Sequence, residues 1–450
     1  MVTPVAAVIL AAGKGTRMKS SRHKVLHPIA GRPMLLHLID SVAALHPERM
    51  VVVTGAGREQ VEAAVAPFGV ATAIQAEQLG TGHAVAQAQT ALAGFTGDVL
   101  ILYGDVPLVS AATMRRMLDR LGEVPEATAV VLGFRPGNPG AYGRVIADAD
   151  GRIHKMVEFK DATADERAET LCNSGLMAVN SANLFRLLAK VGNDNAAGEY
   201  YLPDIVMLGA GEGRPSVVIE TGEHEVAGVN SRSELAAVDA RWQDGRRAEA
   251  MAAGATLVAP ETVWFAHDTQ VGRDVLIEPN VVFGPGVTVG DNVVIHAFSH
   301  LEGATVGDGA EIGPFARLRP GAVLGEASKV GNFVEIKKAV LGPGAKANHL
   351  SYIGDAEVGA GANIGAGTIT CNYDGFFKHR TVIGEGAFIG SNSALVAPVR
   401  IGDGAIVAAG SVLTANVEAD ALALVRPPQV VKPVWAARFR ERMKARKAGR

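Results

Sequence analysis

Cysteine is nearly missing from this chain of 450 residues, where Cys172 and Cys371 are the only two. A pair so far apart cannot build the disulfide framework of a small secreted domain, and its spacing matches no metal-binding motif. A reducing cytoplasm is the expected compartment. An excess of one sign of charge is missing as well. The formal net charge of -3 gives no global attraction to nucleic acid or to an anionic membrane, so neither is expected as a partner. No apolar run approaches the roughly 18 residues that a membrane span requires. The stretch Val5 to Ala12 is apolar, but it has no basic flank and Gly13-Lys14-Gly15 ends it. It reads as a buried first strand rather than a secretory leader. Apolar residues make up 48% and charged residues 20%, which describes a soluble globular protein long enough for two or more domains.

Glycine, by contrast, is plentiful. Of the 53 glycines, 25 lie between Gly272 and Gly410, so the excess belongs to one segment. That segment carries a six-residue beat. Aliphatic side chains fall at Val271, Ile277, Val289, Ile295 and Leu301, and after a one-residue slip at Val306, Ile312, Leu318, Leu324, Val330 and Ile336. The beat returns at Ile383, Ile389, Leu395, Ile401, Val407 and Leu413. Helices repeat every three or four residues and simple strands every two, so neither produces a sustained six. The spacing predicts a parallel β-helix, one short strand and one turn per hexapeptide, with the aliphatic residue pointing inward. Glycine then permits the turn that follows. Such a solenoid presents long regular outer faces, and function depends on what interrupts them.

Residues 1 to 230 alternate differently. Val5–Leu10, Met50–Thr54, Val70–Gln75 and Val99–Tyr103 read as strands; Pro33–Leu45, Glu59–Ala66, Gly82–Leu92 and Ala111–Leu121 read as helices between them. This predicts a Rossmann-like α/β domain with a largely parallel sheet, whose ligands bind at the carboxyl ends of the strands. The loops after Leu10 and Tyr103 matter most. Residues 231 to 254 read as a linker helix with Ser231 as N-cap and Glu234 three positions on, a capping-box pattern, and Gly254 as terminator. Residues 255 to 430 hold the solenoid. In 431 to 450, eight basic residues face the single acid Glu441, and the segment reads as a solvated tail or terminal helix.

The first strand runs into Ala11-Ala12-Gly13-Lys14-Gly15-Thr16-Arg17, with Lys24 beyond. Two glycines let backbone N–H groups approach an anion, and Arg and Lys supply compensating charge. The loop is neither a P-loop nor the dinucleotide fingerprint, since Met18 stands where a third glycine would fall. Tyr103-Gly104-Asp105-Val106-Pro107 puts a carboxylate at the end of a strand, which suits Mg²⁺. Gln75 and Gly80-Thr81-Gly82-His83-Ala84 form a further glycine-bearing loop that opens a helix. Together, L-A-A-G-x-G-T-R-M, K-V-L, Q-x-x-x-x-G-T-G-H-A and Y-G-D-V-P-L resemble the sugar-nucleotide pyrophosphorylases. Among these, they most resemble the uridylyltransferase half of the bacterial bifunctional enzymes that make UDP-N-acetylglucosamine. Tyr142-Gly143-Arg144, Val157-Glu158, Asn173-Ser174-Gly175, Gly198-Glu199-Tyr200-Tyr201 and Gly228-Val229-Asn230 continue the similarity.

That resemblance implies a UTP and UDP-sugar site made by Leu10, Ala11, Ala12, Gly13, Lys24, Gln75, Gly80, Thr81, Tyr103, Asp105, Gly143, Glu158, Asn173 and Asn230. Gln75, Gly80 and Thr81 would read uracil, and Gly143, Glu158 and Asn173 would hold the acetylated sugar. Asp105 and Asn230 would hold Mg²⁺, while Arg17 and Lys24 would bind phosphate during transfer. His23 stands where the family usually has proline before the lysine.

Between Arg317 and Tyr373 the outer positions of the solenoid stop being small, and Thr370 to His379 leave the repeat altogether. Arg319, Lys337, Asn348-His349, Tyr352 and Asn363 fall in this stretch, and a scaffold has no need of them. The run G-A-G-T-I-T-C-N-Y-D-G and its surroundings resemble the acetyltransferase half of the same bifunctional family, with a left-handed β-helix. The resemblance implies Arg319 and Lys337 on a sugar phosphate, with Tyr352, Asn363 and Lys378 completing the sugar pocket. It places Asn372 and Tyr373 at the reaction centre and Ser391, Ala409 and Arg426 on acetyl-CoA. His349 would be the general base, since histidine titrates near neutrality and can take a proton from an attacking amine. Cys371 is assigned no chemistry. His296 and His300 are four apart, but in a solenoid that spacing does not put them on one face. The implied substrates are glucosamine 1-phosphate, N-acetylglucosamine 1-phosphate, UTP and acetyl-CoA, and the implied assembly is a homotrimer with acetyl-transfer sites between subunits. Two rivals differ in one feature each. A pyrophosphorylase with a merely oligomerising solenoid would not need His349 and Asn372-Tyr373, and a non-catalytic regulatory relative would have lost Lys24, Asp105 or Asn230.

Overall fold

The computed structural model describes residues 3–449. Two compact units divide the chain after Arg246, within the long helix Arg232–Ala252. In the first unit the strands are β1 (Val5–Ala11), β2 (Arg49–Thr54), β3 (Ala71–Ile74), β4 (Asp98–Tyr103) and β5 (Ala129–Phe134). They continue with β6 (Arg144–Ala147), β7 (Ile153–Val157), β8 (Cys172–Asn180) and β9 (Val217–Thr221). The main sheet has the order β9-β5-β8-β4-β1-β2-β3, and β6 joins it beside β8 with β7 as its partner. β1 pairs in parallel with both β2 and β4, so Leu10 stands opposite Val53 on one side and Tyr103 on the other. β8 is antiparallel to β4 and β5. Four of the six pairings along this order are parallel, as the alternating pattern predicted, and β8 makes the two antiparallel ones.

β1 shows why this strand is apolar throughout. Val5, Ala7, Ile9 and Ala11 belong to the core on one face of the sheet, and Ala6, Val8 and Leu10 to the core on the other. Both faces are covered, so no position can be polar. The helices Met34–Ala43, Arg58–Val65 and Ala111–Glu123 match the predicted spans within a few residues. The helix expected over Gly82–Leu92 is α-helical only from Thr81 to Ala86 before tightening to a 3₁₀ turn at Gln87–Gln89. At the long helix, Ser231 Oγ accepts from Glu234 N–H at 3.3 Å, as expected. The Glu234 carboxylate, however, accepts from Asn230 N–H at 2.6 Å, one residue before the predicted partner.

The second unit is the parallel β-helix. Ile277 pairs with Ile295, Ile295 with Ile312 and Ile312 with Val330, so each coil takes 17 or 18 residues, three hexapeptides. The aliphatic positions of the beat are buried from Ile277 onward, while Val271 in the opening coil is half-buried. One ladder forms a ten-stranded sheet, and the other two faces join where Glu335–Leu341 and Tyr352–Val358 run round a corner. Phe298, Phe315 and Phe333 occupy successive coils at another corner with φ of 60°, 57° and 57°. Their rings stack with centroids 5.0 and 5.2 Å apart. Left-handed backbone in a bulky residue costs of order 1 kcal/mol, which a stack of this kind offsets. Ile364 pairs with Ile389, 25 positions on, so this coil carries a seven-residue excess. The excess lies within the excursion Asn372 to Arg380, which is closed by a Tyr373–Lys378 bridge. Among the described residues no helix is long and apolar enough to cross a membrane, and the basic segment forms the exposed helix Trp435–Ala448.

Each coil buries one aliphatic side chain per face against the coils above and below it. Ile312→Ala should therefore lower the solenoid's unfolding free energy by about 2–5 kcal/mol, read as a lower guanidinium midpoint.

Candidate active sites

In the first unit the carboxyl ends of β1 and β4 lie side by side, and the loops leaving them meet. Lys24 Nζ forms an ion pair with Asp105, beyond β4, and donates to Asn230 Oδ1 at 3.1 Å. Three residues remote in sequence thus meet at one charged point. Beside it is a cavity of 240 Å³ lined by Leu10, Ala11, Ala12, Gly13, Lys24, Gln75, Gly80, Thr81, Tyr103 and Asp105. Gly80 has φ of 109°, and a Cβ there would meet Tyr200 O at 2.6 Å, so the turn admits no side chain. Tyr103 is half-buried at the wall, and desolvation of its phenol, with smaller contributions from Asp105 and Glu158, holds it well above the ordinary tyrosine range. Arg17 stands exposed on the 3₁₀ turn Thr16–Met18 and does not line this cavity. His23 is buried next to Lys24; burial, then the Lys24 charge, lowers its pKa and keeps the ring neutral.

A second cavity of 410 Å³ adjoins β6, β7 and β8. Gly143, Glu158 and Asn173 line it together with Asp161, Tyr201 and Asp204. Asn173 is tied into the strand by its own N–H to Gly143 O at 2.9 Å and by Oδ1 accepting from Gly175 N–H at 2.9 Å. Burial raises the Glu158 carboxyl above its ordinary range, and Asp161, Asp204 and Glu199 add like charge.

On the solenoid, Lys346–His349 ends with the His349 ring exposed and its Nδ1 2.6 Å from Asn332 Oδ1, one coil earlier. An amide oxygen only accepts, so Nδ1 carries the proton and Nε2 keeps its lone pair toward solvent. Arg319 Nη1 donates to Glu335 Oε1 at 2.7 Å, and Glu335 pairs with Tyr352 in the next coil. Lys337 lies opposite Gly354 in the same ladder. Asn372 is buried and donates to Asp355 and, at 3.4 Å, to the Tyr352 hydroxyl. In the excursion, Lys378 Nζ sits 4.2 Å from the Tyr373 ring centroid, a cation–π distance. Asp374 staples this loop through Phe377 N–H, His379 and Phe376 N–H, which together hold its carboxyl well below the usual carboxylate range. Gly410 N–H donates to Ser391 O at 2.8 Å, and Arg426 Nη1 donates to Ala409 O at 2.6 Å, so Ser391, Ala409 and Arg426 rise through successive coils at one corner. Asn363 instead pairs with Lys346 in the ten-stranded sheet, a different face from Arg319, Lys337 and Tyr352. His296 lies between Glu278 and Glu311 at 3.0 and 3.2 Å, and His300 belongs to another sheet, as its spacing required.

Residues 7–167 match the model of the MobA-like NTP transferase domain, and residues 268–303, 303–338 and 380–415 match the bacterial transferase hexapeptide. The chain is 66% identical over 449 residues to a "Bifunctional protein GlmU" of Sphingopyxis alaskensis, covering all of this chain and 99% of that protein. It is 71% identical over 447 residues to the protein of that name in Rhizorhabdus wittichii, with 99% of each chain covered. The chain belongs to the bifunctional GlmU family. It is accordingly a transferase of UDP-N-acetylglucosamine synthesis, with a nucleotidyltransferase half for uridylyl transfer and a hexapeptide half for acetylation.

Within this GlmU-family chain some neighbours of the site were not singled out by sequence. Asn332 orients His349 from 17 positions away, and only the coil length, read as a pairing rule, reveals it. Gln78 donates to Ala12 O at 2.6 Å and closes one side of the first cavity, yet sits in a loop with no motif of its own.

Because the Glu158 pKa is raised in the folded state, the folded protein binds more protons than the unfolded chain between the ordinary and raised values. The carboxyl's contribution to stability is then greatest below this window and declines as pH rises through it. Glu158→Gln should remove that decline, so its thermal midpoint relative to the parent should be higher at about pH 7 than at about pH 4.

Proposed function

We propose that the two clusters divide the reactions as follows. The solenoid transfers an acetyl group from acetyl-CoA to glucosamine 1-phosphate, and the α/β unit then joins the product to UTP. The observation that carries this reading is that each unit holds its own polar constellation, the partly buried Lys24–Asp105–Asn230 in one and the exposed His349 with Asn332 in the other.

In the uridylyl site the sugar phosphate oxygen attacks the α-phosphorus of UTP. A new P–O bond forms as the bond to the β-phosphate oxygen breaks, and its electron pair leaves with pyrophosphate. Such transfers depend on positioning and charge neutralisation more than on proton transfer. Lys24 supplies the ammonium at the phosphates, and Arg17, on its exposed turn, adds charge from the loop. Gln75, Gly80 and Thr81 hold the base, and Leu10, Ala11, Ala12, Gly13 and Tyr103 shape the rest of that cavity. Gly143, Glu158 and Asn173 hold the acetylated sugar. Asp105 and Asn230 both direct oxygens at the position of Lys24 Nζ, and hard oxygen donors at one point fit Mg²⁺. When bound there, Mg²⁺ would neutralise phosphate charge.

In the acetyl site the amine of glucosamine 1-phosphate attacks the thioester carbonyl. The C–N bond forms, the C–S bond breaks, and the thiolate of coenzyme A departs. Nε2 of His349 takes the amine proton, its tautomer held by Asn332. Arg319 and Lys337 bind the sugar phosphate, Tyr352, Asn363 and Lys378 the sugar, Asn372 and Tyr373 the reacting centre, and Ser391, Ala409 and Arg426 coenzyme A. Asn363 is on a different face from Arg319 and Lys337, so one ligand touching all three calls for a second prism alongside. This supports a homotrimer with shared sites, as does the exposed column of Phe298, Phe315, Phe333 and Leu350. Cys172 and Cys371 are both free thiols, which supports a cytoplasmic location.

With acetyl-CoA and glucosamine 1-phosphate but no UTP, the chain should release free thiol. His349→Ala should slow that release by about a hundred- to ten-thousandfold, while Lys24→Ala should leave it near the parent rate and lower uridylyl transfer. Thiol release that survives His349→Ala would remove the proposed base.

A further inference from the structure

The first cavity contains a hydrogen-bond frame whose consequence goes beyond holding the nucleotide. Gln75 is buried, and its backbone N–H is fixed to Thr54 O at 2.8 Å. Its side-chain Nε2 lies 3.0 Å from Gly80 O and 3.2 Å from His83 Nδ1. A primary amide has two N–H bonds, and two acceptors take both. What Gln75 presents to the cavity it lines is then only its carbonyl oxygen.

His83 Nε2 also lies 3.2 Å from Gln87 Nε2, and a neutral imidazole accepts on one nitrogen. Gln87 is half-buried and already donates to the His83 carbonyl at 3.0 Å, so its second N–H has water to turn to. The Gln75 amide is the more deeply buried of the two, so leaving its second N–H unpaired would carry the larger desolvation penalty. The acceptor is therefore Nδ1. Gly80 is held independently, because Gly82 N–H donates to Tyr200 O and Tyr200 N–H to Leu79 O, both at 2.8 Å. His83 is the side chain that completes the frame.

Uracil offers an N–H at N3, whereas cytosine offers a lone pair there. A fixed carbonyl oxygen accepts from the first and repels the second; a freely rotating amide serves either. We propose that His83 is a positioning residue that, by fixing the Gln75 amide, makes the first site select a uracil over a cytosine nucleotide. The inference rests on the reading of Gln75 as the contact to the base.

The test compares kcat/KM for UTP and for CTP, with N-acetylglucosamine 1-phosphate, in the full-length protein. His83→Leu removes the acceptor at similar volume and should lower the UTP/CTP ratio by about tenfold or more, from a higher KM for UTP and a lower one for CTP. His83→Asn keeps an acceptor oxygen near the position of Nδ1 and should stay close to the parent ratio. A purely structural role would reduce both nucleotides alike, and an unchanged ratio in folded His83→Leu would overturn the proposal. Gln75→Ala separates the two layers. If it leaves the ratio intact, Gln75 does not read the base; if it collapses the ratio while His83→Leu does not, the assignment to His83 alone fails.

Discussion

In-register parallel pairing of strands is the interaction on which both units depend. In the α/β unit it sets Leu10 beside Tyr103, so the loops that leave two neighbouring strands emerge at the same edge and carry Lys24 to Asp105. In the solenoid the same pairing, repeated at each coil, puts residue i next to residue i+17 or i+18, which brings Asn332 to His349. Parallel strands cannot be joined by a tight hairpin. The intervening chain must therefore become a helix in one unit and the rest of a coil in the other. The sites arise where that connecting chain departs from its minimum.

The candidate site residues collect at these departures because backbone regularity there stops dictating side-chain size. Interior positions of the solenoid are confined to residues such as Ile277, Ile312 and Ile389, each buried between the coils above and below. Exterior positions are free, and over a few coils they accumulate Arg319, Lys337, Tyr352 and Lys378. The seven-residue excess before Ile389 adds a loop that leaves the surface, and Asp374 keeps it rigid by accepting from two backbone N–H groups and His379. A loop so stapled holds Tyr373 and Lys378 in fixed relation, as a site needs.

Legibility in the sequence followed the same division. The beat from Ile277 onward could be read residue by residue because each inward position obeys one constraint, burial on a fixed period. β1 was equally plain, since a strand covered on both faces must be apolar throughout. Val271 is only half-buried because the first coil has no coil before it. The strands β5 to β9 are not individually legible. The antiparallel insertion of β8 depends on which neighbours the sheet offers, and local pattern does not encode that. Among site residues, those carried by long motifs, such as Lys24, Asp105 and His349, were visible at once. Their supports, Asn332, Gln78 and the amide-fixing contact of His83, are single polar residues whose meaning lies in a partner elsewhere in the fold. The capping of the long helix differs for a similar reason: Glu234 reaches Asn230, whose side chain is held by Lys24.

The central claim is that each unit supports its own reaction and that the intermediate passes between them by diffusion. It is tested most directly by mixing two variants, His349→Ala and Asp105→Ala, with glucosamine 1-phosphate, acetyl-CoA and UTP. Neither alone should make UDP-N-acetylglucosamine at an appreciable rate. The mixture should make it, after a lag while the acetylated sugar phosphate accumulates. Failure of the mixture, with each variant still performing its own half-reaction, would contradict the account.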